Sequence, residues 1–316
     1  MRDELTIAVV NWNARDFLRA CLQSIQSQEV DFEKRILLVD NGSTDGSVDF
    51  VSAEFPDVEI ARMDENLGYA AGCNVGIKQS RSTFVCLMNP DTIMLPGCLS
   101  ELVRFCQSSD RIGLVGPQVL LPDRRVQRSS MCFPTLPNLF GRALAIDEWF
   151  PNGRLGSYLQ TGFAHDRTSR VEVVNGCCWL IRRQAIGEVG LLDERLFMYG
   201  EDVDWCWRFW KCGWEVWFCS AAKMIHYGGG SSKLAPLTYY LEQQKANSIV
   251  WSKHRPAWTY PIYRFVMILH HGLRFLGYRF LALFPVGSTL PRAFKATRSW
   301  AAMAWLMGIR REQGSR

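Results

Sequence analysis

Five short apolar runs punctuate the first 120 residues: "LTIAVVNW" (5–12), "RILLVD" (35–40), "VEIARM" (58–63), "TFVCLMN" (83–89) and "IGLVGPQVLL" (112–121). They are rich in β-branched residues and almost unbroken by polar ones, the pattern of strands covered on both faces. Between them, "RDFLRACLQSIQSQ" (15–28), "SVDFVSAEF" (47–55) and "GYAAGCNVGIKQS" (68–80) space their apolar residues three and four apart, as amphipathic helices do. Strand–helix alternation of this kind predicts an α/β fold with a mainly parallel sheet covered by helices. A ligand site in such a sheet lies beyond the carboxyl ends of the strands. Three polar clusters fall there: "NWN" (11–13), "DNGSTDGS" (40–47) and "NPDT" (89–92).

Further on, the periodicity lapses. Residues 121–170 mix prolines and arginines without a repeat and read as a long loop or subdomain. "RVEVVNGCCWLIRR" (170–183) and "WEVWFCS" (214–220) predict strands, and Glu201–Cys212 a helix.

With 48% hydrophobic and 21% charged residues, the chain has the composition of a folded globular protein. Its eleven cysteines form no C-x-x-C pair and lie mostly inside apolar runs, which speaks for reduced thiols in a cytosolic setting rather than a disulfide or zinc framework. The net charge of +5 is uneven: from Pro236 onward twelve Lys and Arg stand against two Glu, leaving the first 235 residues at −5. No nucleic-acid partner is expected of an acidic body. Asp3 and Glu4 precede an apolar run too short for a secretory signal.

Four clusters have the residue types for chemistry, and each also has a plain structural reading. "VDNGSTDGS" is either a strand–turn–helix junction capped by Ser43 or Thr44, or a nucleotide contact through Asp40 and Asn41. Neither a G-x-x-x-x-G-K-[ST] loop nor a G-x-G-x-x-G turn is present, so phosphate must be held differently. In "LMNPDTIMLPG", Asp91 follows a buried strand, as a capped turn or as a hard oxygen ligand for Mg2+ or Mn2+. His226, in "MIHYGGGSS", is either structural or a partner for that metal. "MYGEDVDWCWRFWKCGW" (198–214) sets Glu201, Asp202 and Asp204 within five residues. They form an acidic helix start packed by Trp205, Phe209 and Trp210, or a general base, Asp202, with Glu201 or Asp204 orienting a substrate hydroxyl.

Taken in order, "TIAVVNWN", "LLVDNGSTDGS", "ENLGYAAGCNVGI", "LMNPDT", "NGCCWLIRR", "VGLLDERLFMYGEDVDWCWR" and "IHYGGGSS" resemble the inverting transferases of glycosyltransferase family 2, which have the GT-A fold, and their rhamnosyltransferase-like branch. The likeness runs from Thr6 to Ser232. It implies that Asp91 binds metal (Mg2+ or Mn2+) and diphosphate, that Asp202 is the catalytic base, and that His226 completes the metal site. It further implies that Trp12, Asp40 and Asn41 hold the nucleobase while Asn66 and Asn74 line the donor pocket. Asn89 stands where the family's D-x-D-type motif has its first acid, so one carboxylate is missing. The reaction implied is a single displacement with inversion, moving a sugar from a nucleoside diphosphate to a hydroxyl of a cell-surface glycan or lipid-linked saccharide. dTDP-rhamnose is the donor expected; UDP-galactofuranose or a UDP-hexose is the alternative, and a non-catalytic nucleotide-sugar-binding protein belongs to another class. The expected organisation is a nucleotide-sugar-binding part (1–120), an acceptor-binding and catalytic part (121–235), and a basic helical region (236–316).

Within that last region, "YRFVMILHHGLRFLGYRFLALF" (263–284) is apolar but broken by Arg264, Arg274 and Arg279, so it is not expected to span a membrane. On a helical wheel these arginines, with His270 and His271, oppose Phe265, Val266, Leu269, Leu273, Leu276, Phe280 and Leu283. An interfacial helix is expected, its apolar face in lipid and its arginines toward anionic headgroups at the cytoplasmic face. A helix packed on the body or in a homodimer is the other reading.

Overall fold

A computed structural model describes residues 4–150, 155, 163–228, 236–283 and 291–309. The chain forms two compact units: one of residues 1–131 and 164–235, the other of 132–163 and 236–316.

The first unit is a mixed sheet covered by helices. Its strands are β1 (Glu4–Asn11), β2 (Glu33–Asn41), β3 (Glu59–Met63), β4 (Phe84–Met88), β5 (Thr92–Met94), β6 (Ile112–Leu120), β7 (Ser130–Met131), β8 (Ser169–Arg170), β9 (Val173–Val174), β10 (Cys178–Arg182) and β11 (Glu215–His226). The helices are α1 (Arg15–Gln26), α2 (Ser47–Glu54), α3 (Tyr69–Gln79), α4 (Cys98–Gln107), α7 (Arg183–Val189) and α8 (Glu201–Lys211); α5 (Leu136–Ala143) and α6 (Ile146–Trp149) fall in the second unit. The strand order is β3-β2-β1-β4-β10-β6-β11-β5, with β8 pairing β11; β7 and β9 form a separate ribbon. The β3-β2-β1-β4 half is parallel and β10 enters antiparallel beside β4. That reversal puts the start of β10 at the carboxyl end of β4, where Asn89 N–H donates to Cys177 O at 3.0 Å.

The continuous apolar runs predict the buried strands, and β1 shows why. Leu5, Ile7 and Val9 join Leu18, Leu22 and Ile25 of α1 in one core cluster. On the opposite face α3 approaches so closely that a Cβ on Gly72 would lie 2.5 Å from Val10 Cγ1. "RVEVVNGCCWLIRR" is not one strand. It breaks into β9 and β10 at a turn where Asn175 Oδ1 accepts the Cys177 N–H at 3.0 Å. Conversely, β11 runs well past the apolar stretch to His226, through an irregularity between Cys219 and Lys223.

The second unit is helical: α5 and α6 are joined by α9 (Pro236–His254), α10 (Tyr260–Leu281) and α11 (Arg292–Leu306). Leu139 and Ala143 of α5 join Trp251, Tyr263, Val266, Met267 and Leu306 in one core, which is why residues 132–163 group with the C-terminal helices. Trp251 stacks on Tyr263 at 4.7 Å and donates its indole N–H to Thr259 Oγ1 at 3.0 Å.

The expected orientation of α10 changes in part: Phe265, Leu273, Leu276 and Phe280 face outward as expected, but His270, His271 and Arg274 turn inward. His270 and His271 are buried, and His271 meets Gln244 Oε1 at 3.1 Å and the Tyr240 hydroxyl at 3.3 Å. Burial, reinforced by the charge of Arg274, pushes His270 down to about 2 and His271 to about 4, so neither carries charge for a headgroup. Arg274 turns inward to His270 Nδ1 at 3.2 Å. Val266, expected on the outward apolar face, is buried as well. Among the described residues no helix is long and apolar enough to cross a membrane.

Candidate active site

The carboxyl ends of β1, β2 and β4, the turn before β10, the end of β11 and the start of α8 enclose a cleft of about 220 Å³. Its floor is a polar lattice. Asn11, the last residue of β1, donates to Asp40 Oδ1 and Ser43 Oγ, both at 3.0 Å, and Asp40 Oδ2 accepts the Ser43 N–H at 3.1 Å. Asn41 donates to Asn66 Oδ1 and Gly68 O, each at 3.0 Å, and accepts the Leu67 N–H. Trp12, Asn41, Asn66 and Asn89 line the cleft. Asp40 does not line it; it is buried behind, braced against Asn11.

Besides Asp40, two expected residues lie elsewhere. Asn74 does not line the cleft: its amide donates to Leu192 O at 3.0 Å and Glu194 Oε1 at 2.8 Å and accepts the Leu192 N–H, clamping α3 to the segment before α8. Asp204 is fully buried outside the cleft and bonded to Arg208 Nε at 3.0 Å, so it orients no substrate hydroxyl. Helix geometry separates Asp204 from Asp202, because residues two apart point about 200° from each other.

Glu201 and Asp202 do line the cleft. The backbone brings them there through two consecutive left-handed residues, Tyr199 (φ 68°) and Gly200 (φ 78°). A non-glycine residue in that region costs about 1–3 kcal/mol and concentrates at functional sites. Burial pushes the Glu201 carboxyl up to about 8, with the Asp202 charge adding to the rise, and burial raises Asp202 to about 6. Asp202 Oδ1 accepts the Val203 N–H at 2.8 Å, which favours its ionised form. Glu201 Oε2 is buried without a hydrogen-bond partner. Both carboxyls are thus raised, Glu201 further than Asp202, and the Val203 N–H favours Asp202 as the ionised member of the pair.

Across the cleft, strand pairing sets Thr92 opposite His226, and so brings Asp91 Oδ1 within 3.4 Å of His226 Nε2. Carboxylate oxygen and imidazole nitrogen suit Mn2+, and a cation that takes its other ligands from phosphate and water needs few from protein. The two residues fit such an ion. Among the described residues no three His, Cys, Asp or Glu converge on a metal position. Gln127, unmarked by any motif, has Oε1 3.2 Å from His226 Nδ1. An Nδ1–H donating to it leaves the Nε2 lone pair facing Asp91. Asn175, Gly176, Phe197 and Tyr199 also line the cleft. The glycine and asparagine signals at 175–176 and 199–200 mark these turns; Gln127 gave no signal.

The sheet order and the cleft at its strand ends define an α/β nucleotide-sugar-type fold, GT-A. The computed structure superposes on GalNAc-T7 solved with UDP, GalNAc and Mn2+ (TM-score 0.60, 13% identity, 97% of this chain), of which it spans 56%, and on a mannosyltransferase from Pyrobaculum calidifontis in complex with GDP-Man and Mn2+ (TM-score 0.54, 13% identity, covering 99% and 77%). The glycosyl transferase family 2 profile matches residues 6–190, and the chain belongs to that family. It is 29% identical over 269 residues to the N-acetylglucosaminyl-diphospho-decaprenol L-rhamnosyltransferase of Mycobacterium tuberculosis, covering 82% of this chain and 87% of that one, and is rhamnosyltransferase-like.

Proposed function

We propose that this chain transfers L-rhamnose, with inversion, from dTDP-rhamnose to a hydroxyl of a lipid-linked saccharide. The observation carrying this reading is the meeting, in one cleft, of the Asp202 carboxyl with the Asp91–His226 pair. The rhamnosyl and lipid-linked parts draw support from the name of the mycobacterial relative.

In the reaction, Asp202 takes the proton of the acceptor hydroxyl as it attacks the anomeric carbon opposite the leaving nucleoside diphosphate. Glu201, protonated beside it, leaves Asp202 as the carboxylate that accepts the proton. Its unpaired Oε2 offers a hydrogen-bonding position to a substrate oxygen. Asn41 and Asn66 hold the strand-end loops against which the nucleotide packs, and Trp12 supplies an aromatic face. Mn2+ or Mg2+ bound at Asp91 and His226 would offset charge growing on the diphosphate. Incubation with a panel of nucleotide sugars and polyprenyl diphosphate saccharides tests the reading. Release of dTDP with rhamnose transferred in the inverted anomeric configuration is expected. Turnover confined to UDP-sugars would replace the donor, and retention of configuration would remove Asp202 as the base.

A further inference from the structure

α10 is built inside out. Its polar residues His270, His271 and Arg274 turn into the helical unit and bond there to Gln244, Tyr240 and the Arg142 carbonyl. Its large apolar residues turn outward. Ile262, Phe265, Leu273, Leu276 and Phe280 form a stripe at spacings of three, four and eight, and Phe265, Leu276 and Phe280 are 64%, 64% and 62% exposed. Trp258, one turn before the helix, extends the stripe at 71% exposure, and Leu283 continues it beyond the last turn. Water is a poor medium for such a surface, and a contiguous apolar stripe on a folded protein marks a contact.

Charge decides what makes that contact. Arg279 is exposed on the same helix, whereas the Arg264 guanidinium donates to the Leu306 carbonyl, and neither α10 nor α11 contains an acidic residue. Against a second copy, the stripe would bring like charges together with no carboxylate on either helix to pair them, the opposite of the complementary flanks that specify helix pairing. A surface combining acyl chains with negative headgroups meets both features: the stripe enters the acyl boundary and Arg279 meets the headgroups. We infer that the outward face of α10, from Trp258 to Leu283, docks the protein on an anionic lipid bilayer without crossing it. The histidines take no part, and the inference stands apart from the catalytic reading because it uses none of the cleft residues.

Flotation of the full chain with vesicles tests it. Binding to phosphatidylcholine vesicles containing phosphatidylglycerol, weakened by high salt and near absent on phosphatidylcholine alone, is expected. The triple variant Phe265→Ser, Leu276→Ser, Phe280→Ser should bind at least about tenfold more weakly, since each ring or isobutyl group removed takes apolar area out of the lipid. Arg279→Gln should weaken binding by about fivefold at low salt. Donor hydrolysis should be unchanged in both variants, so a failure of docking and a failure of the catalytic reading are separate results. Absence of flotation, flotation of the triple variant equal to the parent, or binding indifferent to lipid charge overturns the inference. So does a dimer that the triple variant dissociates while neither protein floats, which would assign the stripe to a seam between copies.

Discussion

Replacing Glu201 by glutamine tests the ionisation order that the proposed chemistry rests on. In the unfolded chain a glutamate titrates near 4.5; in the fold this one is pushed up to about 8, first by burial and then by the charge of Asp202. Between those two values the native state holds a proton that the unfolded state has lost. Stability therefore falls as pH rises through that window, in the sense opposite to a salt-bridged carboxylate. The amide introduced by E201Q is a neutral isostere of the protonated acid and escapes this loss. The stability gap between E201Q and the parent should accordingly widen in favour of the variant from pH 5 upward and stop widening above about 8. At about 1.4 kcal/mol per pH unit, the ceiling is about 4–5 kcal/mol, and a domain of this size moves roughly 2–4 °C in Tm per kcal/mol. Thermal melts of both proteins from pH 5 to pH 9 measure it. A gap that stays constant across the range would mean that Glu201 is ionised in the fold, and the ordering of the pair would fall with it.

The same variant separates the two limbs of the rate profile. Asp202, raised to about 6 by burial, must be ionised to act as base, so kcat/KM should climb about tenfold per pH unit below about 6 and level off above. Because Glu201 is still neutral when Asp202 ionises, E201Q should leave that acid limb in place. It should abolish a decline near 8 if loss of the Glu201 proton causes one. An acid limb displaced by a full unit in E201Q would show that the two carboxyls share one proton, with Asp202 no longer the independent base.

Asp202→Asn should retain donor binding and lose at least about a hundredfold in transfer, the lower end for a positioned base; wild-type turnover would remove it from the mechanism. Asp91→Ala and His226→Ala should each weaken Mn2+-dependent donor binding in calorimetry, Asp91 more because it brings the charge, and equal affinity with and without Mn2+ in the parent would dismiss the metal role. Gln127→Leu should lower Mn2+ affinity by about 10–100-fold through loss of the tautomer-setting bond, and Gln127→Glu should restore most of it; unchanged Mn2+ titration would make Gln127 a bystander. Gly68→Ala should unfold the cleft or shift it, because Gly68 has φ 92° and a Cβ there would sit 2.3 Å from Phe197 O; a melting temperature within about 1–2 °C of the parent, where loss on the order of 2 kcal/mol is expected, would show that the loop gives way freely.

The strand ends were readable because buried parallel strands leave continuous apolar runs and the residues that follow them have one place to go. Asn41, Asn66, Asn89 and Asp91 all reach the cleft by that logic. His226 was readable only by type, since its meeting with Asp91 depends on β5 pairing antiparallel with β11, a long-range register that local spacing does not encode. Asn74 and Asp204 misled for a shared reason. Each is a polar residue on a helix inside a motif, and motif membership says nothing of helix phase. Asp204 turns to Arg208 one helical turn on, while Asn74 is bonded to the Leu192 backbone, 118 residues away. Gln127 lies in an extended stretch with no periodicity at all, and its role exists only through the distance to His226.

α10 shows where periodicity stops being informative. The wheel sets the row of Phe265, Leu273, Leu276 and Phe280 apart from the row bearing His270, His271 and Arg274, because the angle between side chains is fixed by the helix itself, but it misplaces Val266, which is buried. Which row faces inward is decided by what the neighbours offer. α9 presents Gln244 and Tyr240, and α5 presents the Arg142 carbonyl in its last turn, so the interior of this unit has partners waiting for imidazole and guanidinium. Burying those groups satisfied costs little, whereas burying them unsatisfied would cost several kcal/mol each. Tyr263, Val266 and Met267 then supply the apolar contacts with Trp251 and Leu139 that close the core. With both demands met on one side, Phe265 and Leu276 are left over on the other, each with most of its surface exposed. Apolar-inward is a rule about water, and it predicts orientation only for a helix whose other side faces water.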